Sequence, residues 1–170
     1  MTVSLRPWAL SDAPLLAEYA DNPRVAAHLR NVFPSPYRLE DAYRYILFCL
    51  EEDPSQQISR AILADGGLAG SITLSVCGDV HARSAELGYW LAEPFWGRGI
   101  MTQAVAQICR EGWQAFPIVR IFAEPFAINQ GSRRVLEHNG FQLEGIKHSS
   151  VWKNGRLLDS CMYALLREEK

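Results

Sequence analysis

The chain lacks the long apolar runs and the excess of one charge that mark several classes of protein. No stretch of its 170 residues approaches the roughly 18 apolar residues that a membrane-spanning helix needs. Residues 1–6 also lack the basic-then-apolar pattern of a secretory signal, so we expect a cytoplasmic protein with no membrane partner. The formal charge is −2, from 17 basic and 19 acidic residues, and no basic cluster stands out. This balance argues against a nucleic acid as the main partner.

Cysteine pairs and histidine clusters are missing as well. Cys49, Cys77, Cys109 and Cys161 are widely scattered, form no C-x-x-C pair and lie in apolar stretches. We interpret them as reduced, buried small side chains. Neither they nor the four histidines have the spacing of zinc ligands, so we expect no metal site.

Hydrophobic periodicity predicts an α+β chain that forms one domain over residues 1–170. Helices are predicted after Ser11, over 39–52, over 99–115 and from Asn129, and strands at 3–7, 57–64, 68–76, 85–91, 119–123, 141–152 and 156–166. The strand at 85–91, the helix at 99–115 and the strand at 119–123 form a βαβ unit, whose strands should be parallel. The other strand pairs should be antiparallel, and Asn154-Gly155 is typical of a type I′ turn.

Residues 95–102 read Phe-Trp-Gly-Arg-Gly-Ile-Met-Thr and open the helix predicted at 99–115. Gly97 and Gly99 allow the backbone conformations that turn several N–H groups into one concavity. The start of the helix adds free N–H groups and the positive end of its dipole, and Arg98 could add a charge. These features predict an anion-binding loop.

Three anionic ligands compete for this loop. A nucleotide P-loop needs Lys-Ser/Thr after its last glycine, but Ile100 and Met101 follow Gly99. The dinucleotide fingerprint needs a third glycine at the position of Thr102 and an acidic residue about 20 positions later. The pyrophosphate of coenzyme A fits better, and on the glycines alone a tight turn that binds nothing remains the alternative.

Three stretches then occur in the order of one family's motifs, at 86–104, 129–141 and 154–166. The first resembles the acetyl-CoA signature of the GNAT superfamily, and the second, which reads N-x-x-S-x-x-V-L-E-x-x-G-F, resembles its RimJ/RimL branch of ribosomal-protein N-terminal acetyltransferases. The third resembles that branch's closing hairpin. Trp96 and Met101 depart from the superfamily's usual Q/R-x-x-G-x-G/A loop, although a tryptophan is familiar in this branch.

The resemblance implies a GNAT fold, with a mixed, mostly antiparallel sheet of six to seven strands flanked by about four helices. It implies acetyl-CoA as donor, an amine as acceptor (a protein N-terminus or a small amine) and direct attack of that amine on the thioester. A homodimer is compatible with it. A non-catalytic acyl-CoA-binding regulatory module with the same fold is the alternative. The residues assigned to acetyl-CoA are Trp90, Leu91, Trp96, Gly97, Arg98, Gly99, Ile100, Met101, Thr102, Asn129 and Ser132.

The same resemblance supplies two candidate catalytic residues. Glu86 should lie on one strand face with Gly88 and Trp90 and act as the base that removes the amine's proton; a surface carboxylate or a partner for an arginine is the alternative. Ser132 should contact the leaving thiolate, although it could be an ordinary first-turn residue behind the cap Asn129. Tyr89 and Tyr163 are further possible acids. A backbone N–H near a bulge at Trp90 or Leu91 should hold the oxyanion.

Overall fold

The computed structural model describes residues 1–168, in which seven strands form one continuous sheet. The strands are β1 (Val3–Arg6), β2 (Gln57–Ala64), β3 (Gly67–Val76), β4 (Ser84–Leu91), β5 (Arg120–Ala123), β6 (Gln142–Lys153) and β7 (Arg156–Leu166). The helices are α1 (Ala13–Ala20), α2 (Pro23–Ala26), α3 (Leu39–Glu51), α4 (Ile100–Ala115) and α5 (Gln130–His138). Glu169 and Lys170 of the predicted domain lie outside the described residues.

The sheet has the order β1-β2-β3-β4-β5-β7-β6, and the pairs are antiparallel except β4 with β5. The mixed α+β fold predicted from the sequence is confirmed. None of the described helices has the length and apolar character needed to span a membrane.

The parallel pair separates shortly after it forms. β4 and β5 pair from Ser84 with Arg120 to Glu86 with Phe122, whereas β4 continues along β3 as far as Leu91. The edge of β4 that faces β5 is therefore open beyond Glu86 within the described chain. The register of β4 on β3 runs without a shift from Ala85 to Leu91, so the bulge expected at the end of this strand is not found within these described residues. Strand separation exposes the backbone of β4 instead.

Helices cover both faces of the sheet. α4 and α5 pack on one face, over the core that contains Ala85, Leu87, Val105 and Ile108. α1 and α3 pack on the other face, chiefly over β2 and β3. Alternation along β4 puts Ala85 and Leu87 into the first core and leaves Glu86 exposed on the opposite side of the strand.

Two short turns follow from the residues that form them. Asp65-Gly66 joins β2 to β3 and Asn154-Gly155 joins β6 to β7, and all four residues have positive φ, as a type I′ turn requires. The second turn confirms the prediction. In the first, Gly67 belongs to β3 rather than to the connection.

Candidate functional site

A cavity of about 670 Å³ opens where β4 and β5 separate. Its size falls within the range of roughly 300 to 1,000 Å³ that is typical of small-molecule sites. It is lined by Tyr89, Trp90, Leu91, residues 95–102, residues 128–132, Val25, His28, Leu29, Arg134, Val135 and His138. The structure therefore brings together the loop before α4, the end of β4 and the start of α5.

The loop at 96–99 lines this cavity with two glycines, which leave its backbone accessible. Gly97 and Gly99 both have φ of 72°, a left-handed conformation that costs an L-residue roughly 1–2 kcal/mol. The amide of Gln103 donates to the carbonyl of Gly99 at 3.3 Å, as in the first turn of a helix. The preceding amides, of Ile100, Met101 and Thr102, have no helical acceptor by geometry and remain available to an anion.

Arginine adds positive charge to the lining of the cavity. Arg98 and Arg134 both line it, and among residues 1–168 neither has a carboxylate within ion-pair distance. His138 lies one turn after Arg134 on α5 and lines it too. Sequence reasoning missed Arg134 and His138, although basic residues one turn apart on the helix after Asn129 were a readable signal. The cavity is suited to a ligand with several phosphates.

A polar network joins the loop to α2. Glu93 accepts from the Asn22 amide at 2.7 Å and pairs with Arg24. The Arg24 guanidinium lies 5.5 Å from the centre of the Trp96 ring, and the Trp96 indole donates to the Leu91 carbonyl at 2.7 Å. These contacts hold the start of α2 against the segment that carries the glycine loop.

The start of α5 forms the wall opposite the loop. Asn129 caps the helix, because its side-chain oxygen accepts from the Ser132 amide at 3.1 Å. The Ser132 hydroxyl lies 2.8 Å from the Tyr89 hydroxyl, and all three side chains line the cavity. Tyr163 is buried and bonded to Arg133 at 3.1 Å, and it is not among the described lining residues.

Comparison with known proteins shows which family has this fold and this loop. A family model described as an acetyltransferase (GNAT) domain matches residues 2–142. The chain belongs to the GNAT acetyltransferase family. The family prediction made from the three motifs is confirmed.

The relatives of this GNAT protein include ribosomal-protein acetyltransferases. It is 35% identical over 112 residues to the putative ribosomal N-acetyltransferase YdaF of Bacillus subtilis, a match that covers 66% of the chain and 61% of that relative. Mycobacterium smegmatis RimJ in complex with CoA-disulfide superimposes with a TM-score of 0.86 at 26% identity, covering 96% of this chain and 81% of that one. RimL, a ribosomal L7/L12 alpha-N-protein acetyltransferase in complex with coenzyme A, has the same fold, with a TM-score of 0.86 at 24% identity, covering 98% and 94%.

Glu86 lies at a distance from the cavity of this GNAT protein. It is exposed on the face of β4 that it shares with Gly88 and Trp90, and of these three Trp90 lines the cavity. The rise of a strand places Glu86 and Trp90 about 13 Å apart along β4. Its role as base therefore stays a prediction. Among residues 1–168 no group of three or more histidine, cysteine, aspartate or glutamate side chains is placed to hold a metal ion.

Proposed function

We propose that the chain transfers an acetyl group from acetyl-CoA to a primary amine, by direct attack of the amine on the thioester. One observation carries this proposal: the left-handed glycine loop at the start of α4 faces Asn129 and Ser132 across a single cavity. That arrangement offers an anion site for the pyrophosphate at one end and hydrogen-bonding groups for the pantetheine arm and thioester at the other.

Different residues bind the different parts of acetyl-CoA. The backbone amides from Gly97 to Thr102 bind the pyrophosphate, and Arg98 adds charge beside it. Asn129 contacts the pantetheine arm while it caps α5, and Ser132 donates to the leaving thiolate. The unpaired edge of β4 supplies the amide that holds the oxyanion, because β5 no longer pairs there. Strand alternation assigns this amide to Leu91, since the amide of Ala92 donates to Ala69 of β3 and that of Trp90 points the same way.

The amine must lose a proton before or during attack, because only its neutral form is nucleophilic. Free α-amines have a pKa of about 8 and lysine side chains about 10.4, so the reaction gains from a base at neutral pH. We assign that role to Glu86, acting through water along the open face of β4. The exposed position of Glu86 and the distance to Trp90 support a relay rather than direct contact.

The proposed acceptor is based on what the relatives are named as acting on. YdaF carries the name of a ribosomal N-acetyltransferase, and RimL acts on the α-amine of L7/L12. We therefore propose a protein N-terminus as acceptor in the cytoplasm, with small amines as the next class to test. The proposed enzyme uses residues 1–170 as one domain and binds acetyl-CoA without a metal, and a homodimer is compatible with the family.

Thiol release tests the proposal. Acetyl-CoA is mixed with N-terminal peptides, polyamines, amino acids and aminoglycosides, and free thiol is followed with time. Release that depends on one acceptor class supports the enzyme, whereas tight CoA binding with no release from any acceptor leaves a binding module.

The same assay tests Glu86. We expect Glu86→Gln to lower kcat on the order of a hundredfold and to change the pH profile of kcat, while CoA affinity measured by calorimetry is unchanged. Glu144→Gln is the control, since Glu144 is another exposed carboxylate and pairs with Arg120. Equal pH profiles for Glu86→Gln and the unmodified chain would remove Glu86 from the mechanism.

A further inference from the structure

Two hydroxyl groups that are 43 residues apart in sequence meet on the wall of the cavity. Tyr89 reaches from β4 and Ser132 from the first turn of α5, and their oxygens lie 2.8 Å apart. The Tyr89 hydroxyl is also placed to donate to the Ser132 carbonyl oxygen, at 3.3 Å. Within the described residues Tyr89 is the one hydrogen-bond partner of the serine hydroxyl.

The number of protons limits how this pair is arranged. Tyr89 has one proton to donate, and the Ser132 carbonyl is already the helical acceptor for the amide four residues later. The contact to the serine Oγ, at 2.8 Å, is shorter than the 3.3 Å contact to the carbonyl, so donation from Tyr89 to Oγ is favoured. Once Oγ accepts this bond, the proton of Ser132 is directed away from the tyrosine.

We propose that Tyr89 is a positioning residue, which holds the Ser132 oxygen from one side and so turns the serine proton into the cavity toward the sulfur of the departing CoA. This inference rests on the proposed function and adds a second residue to it. During transfer the amine nitrogen bonds to the acetyl carbon, the C–S bond breaks and its electron pair remains on sulfur. Ser132 donates a hydrogen bond to that thiolate, and the proton lost by the amine goes to the base.

A serine in a helix needs such a partner because it has a competing bond close by. Its hydroxyl can rotate and donate to the carbonyl three residues earlier, here that of the cap residue Asn129, and the thiolate would then lose its donor. Tyr89 can fix the oxygen because its ring packs against the core beneath α4. Burial raises the pKa of the Tyr89 phenol, so it remains protonated and able to donate at neutral pH.

The test measures the ionisation of the bound product rather than turnover. CoA is bound to the unmodified chain, to Tyr89→Phe, to Ser132→Ala and to the double variant, and the ultraviolet absorbance of its thiolate is followed against pH. We expect Tyr89→Phe and Ser132→Ala each to raise the pKa of the bound thiol by about one unit, the equivalent of one hydrogen bond. The double variant should show no larger shift than Ser132→Ala alone, since both changes remove the same donation.

Tyr163→Phe is the matched control. Tyr163 also contacts α5, through Arg133 and Glu137, but it is not among the described residues that line the cavity, so its loss should leave the thiol pKa unchanged. In turnover we expect Tyr89→Phe to lower kcat about tenfold with the KM for acetyl-CoA within about twofold.

Three results would overturn the inference: an unshifted thiol pKa in Tyr89→Phe while Ser132→Ala shifts it, additive shifts in the double variant, or an equal shift in Tyr163→Phe. Failure of the proposed function looks different, because the unmodified chain would then bind no CoA or would bind it without thiol release in the acceptor panel.

Discussion

At the scale of single residues, Gly99 is required by its backbone conformation and not by a steric clash with its neighbours. Gly99 has φ of 72° and, among the described residues, no heavy atom would lie within 4 Å of an added Cβ. We expect Gly99→Ala to weaken CoA binding up to about tenfold, because the left-handed strain of roughly 1–2 kcal/mol displaces the amides that hold the pyrophosphate. Calorimetric titration with CoA measures the loss.

Gly66→Ala is the control for that strain. Gly66 has φ of 84° in the turn between β2 and β3, with the same open space among the described residues, and it does not line the cavity. It should lose similar stability with no change in CoA affinity. Equal affinities for the unmodified chain and Gly99→Ala would show that the loop does not bind the ligand.

Residue patterns predicted local conformation well and contacts poorly. The glycines of the loop could be identified because the ability to adopt a positive φ is a property of glycine itself. The contact between Tyr89 and Ser132 could not, since it joins a strand and a helix that no short pattern relates. Alternation placed Glu86 on one face with Trp90, as observed, but it gave no measure of how far the cavity extends along that face.

At the scale of elements, β3 and β4 approach so closely that one position requires glycine. A Cβ on Gly70 would overlap the Trp90 carbonyl oxygen and lie 3.0 Å from the Leu91 Cα, and both are backbone atoms that cannot rotate away. We expect Gly70→Ala to lower the free energy of unfolding by about 2 kcal/mol, within the range for overpacked cores. It should also weaken CoA binding, because Trp90 and Leu91 line the cavity.

The neighbouring strand provides the comparison. Among the described residues no heavy atom lies within 4 Å of a Cβ built on Gly88 of β4. Gly88→Ala should therefore leave the free energy of unfolding unchanged or slightly higher, since alanine has less backbone freedom to lose. Chemical denaturation of both variants measures the difference, and equal losses would contradict the close approach of the two backbones.

Elements with strong periodicity were predicted and a short one was missed. α4 was predicted over 99–115 and is observed over Ile100–Ala115, with Met101, Ala104, Val105 and Ile108 buried. No separate helix was predicted at Pro23–Ala26, where Asn22 caps α2. Asparagine followed by proline suits both a stop and a start, and a helix of four residues is too short to show periodicity.

At the scale of the whole molecule, the order of elements could be predicted because each connection limits its neighbours. A strand, a helix and a strand in succession imply a parallel pair, and short turns imply antiparallel ones. Val25 of α2, and His28 and Leu29 after it, also line the cavity, and no short pattern in the sequence relates them to the glycine loop. For the same reason, the class of amine that serves as acceptor could not be predicted from the sequence.

The cavity joins β4, α4, α5 and the segment after α2, so a ligand that fills it should stabilise the whole fold. CoA at about a hundredfold excess over its Kd adds roughly 2.7 kcal/mol to the native state, which for a chain of this length raises Tm by about 5–10 °C. We expect one cooperative thermal transition that moves as a unit with CoA, because a single sheet runs through the described residues.

NAD and ATP at the same concentrations should leave Tm unchanged, since the loop lacks the third glycine and the lysine that those ligands need. An equal shift with either nucleotide would contradict the assignment of the loop to CoA, and two separate transitions would contradict the single domain.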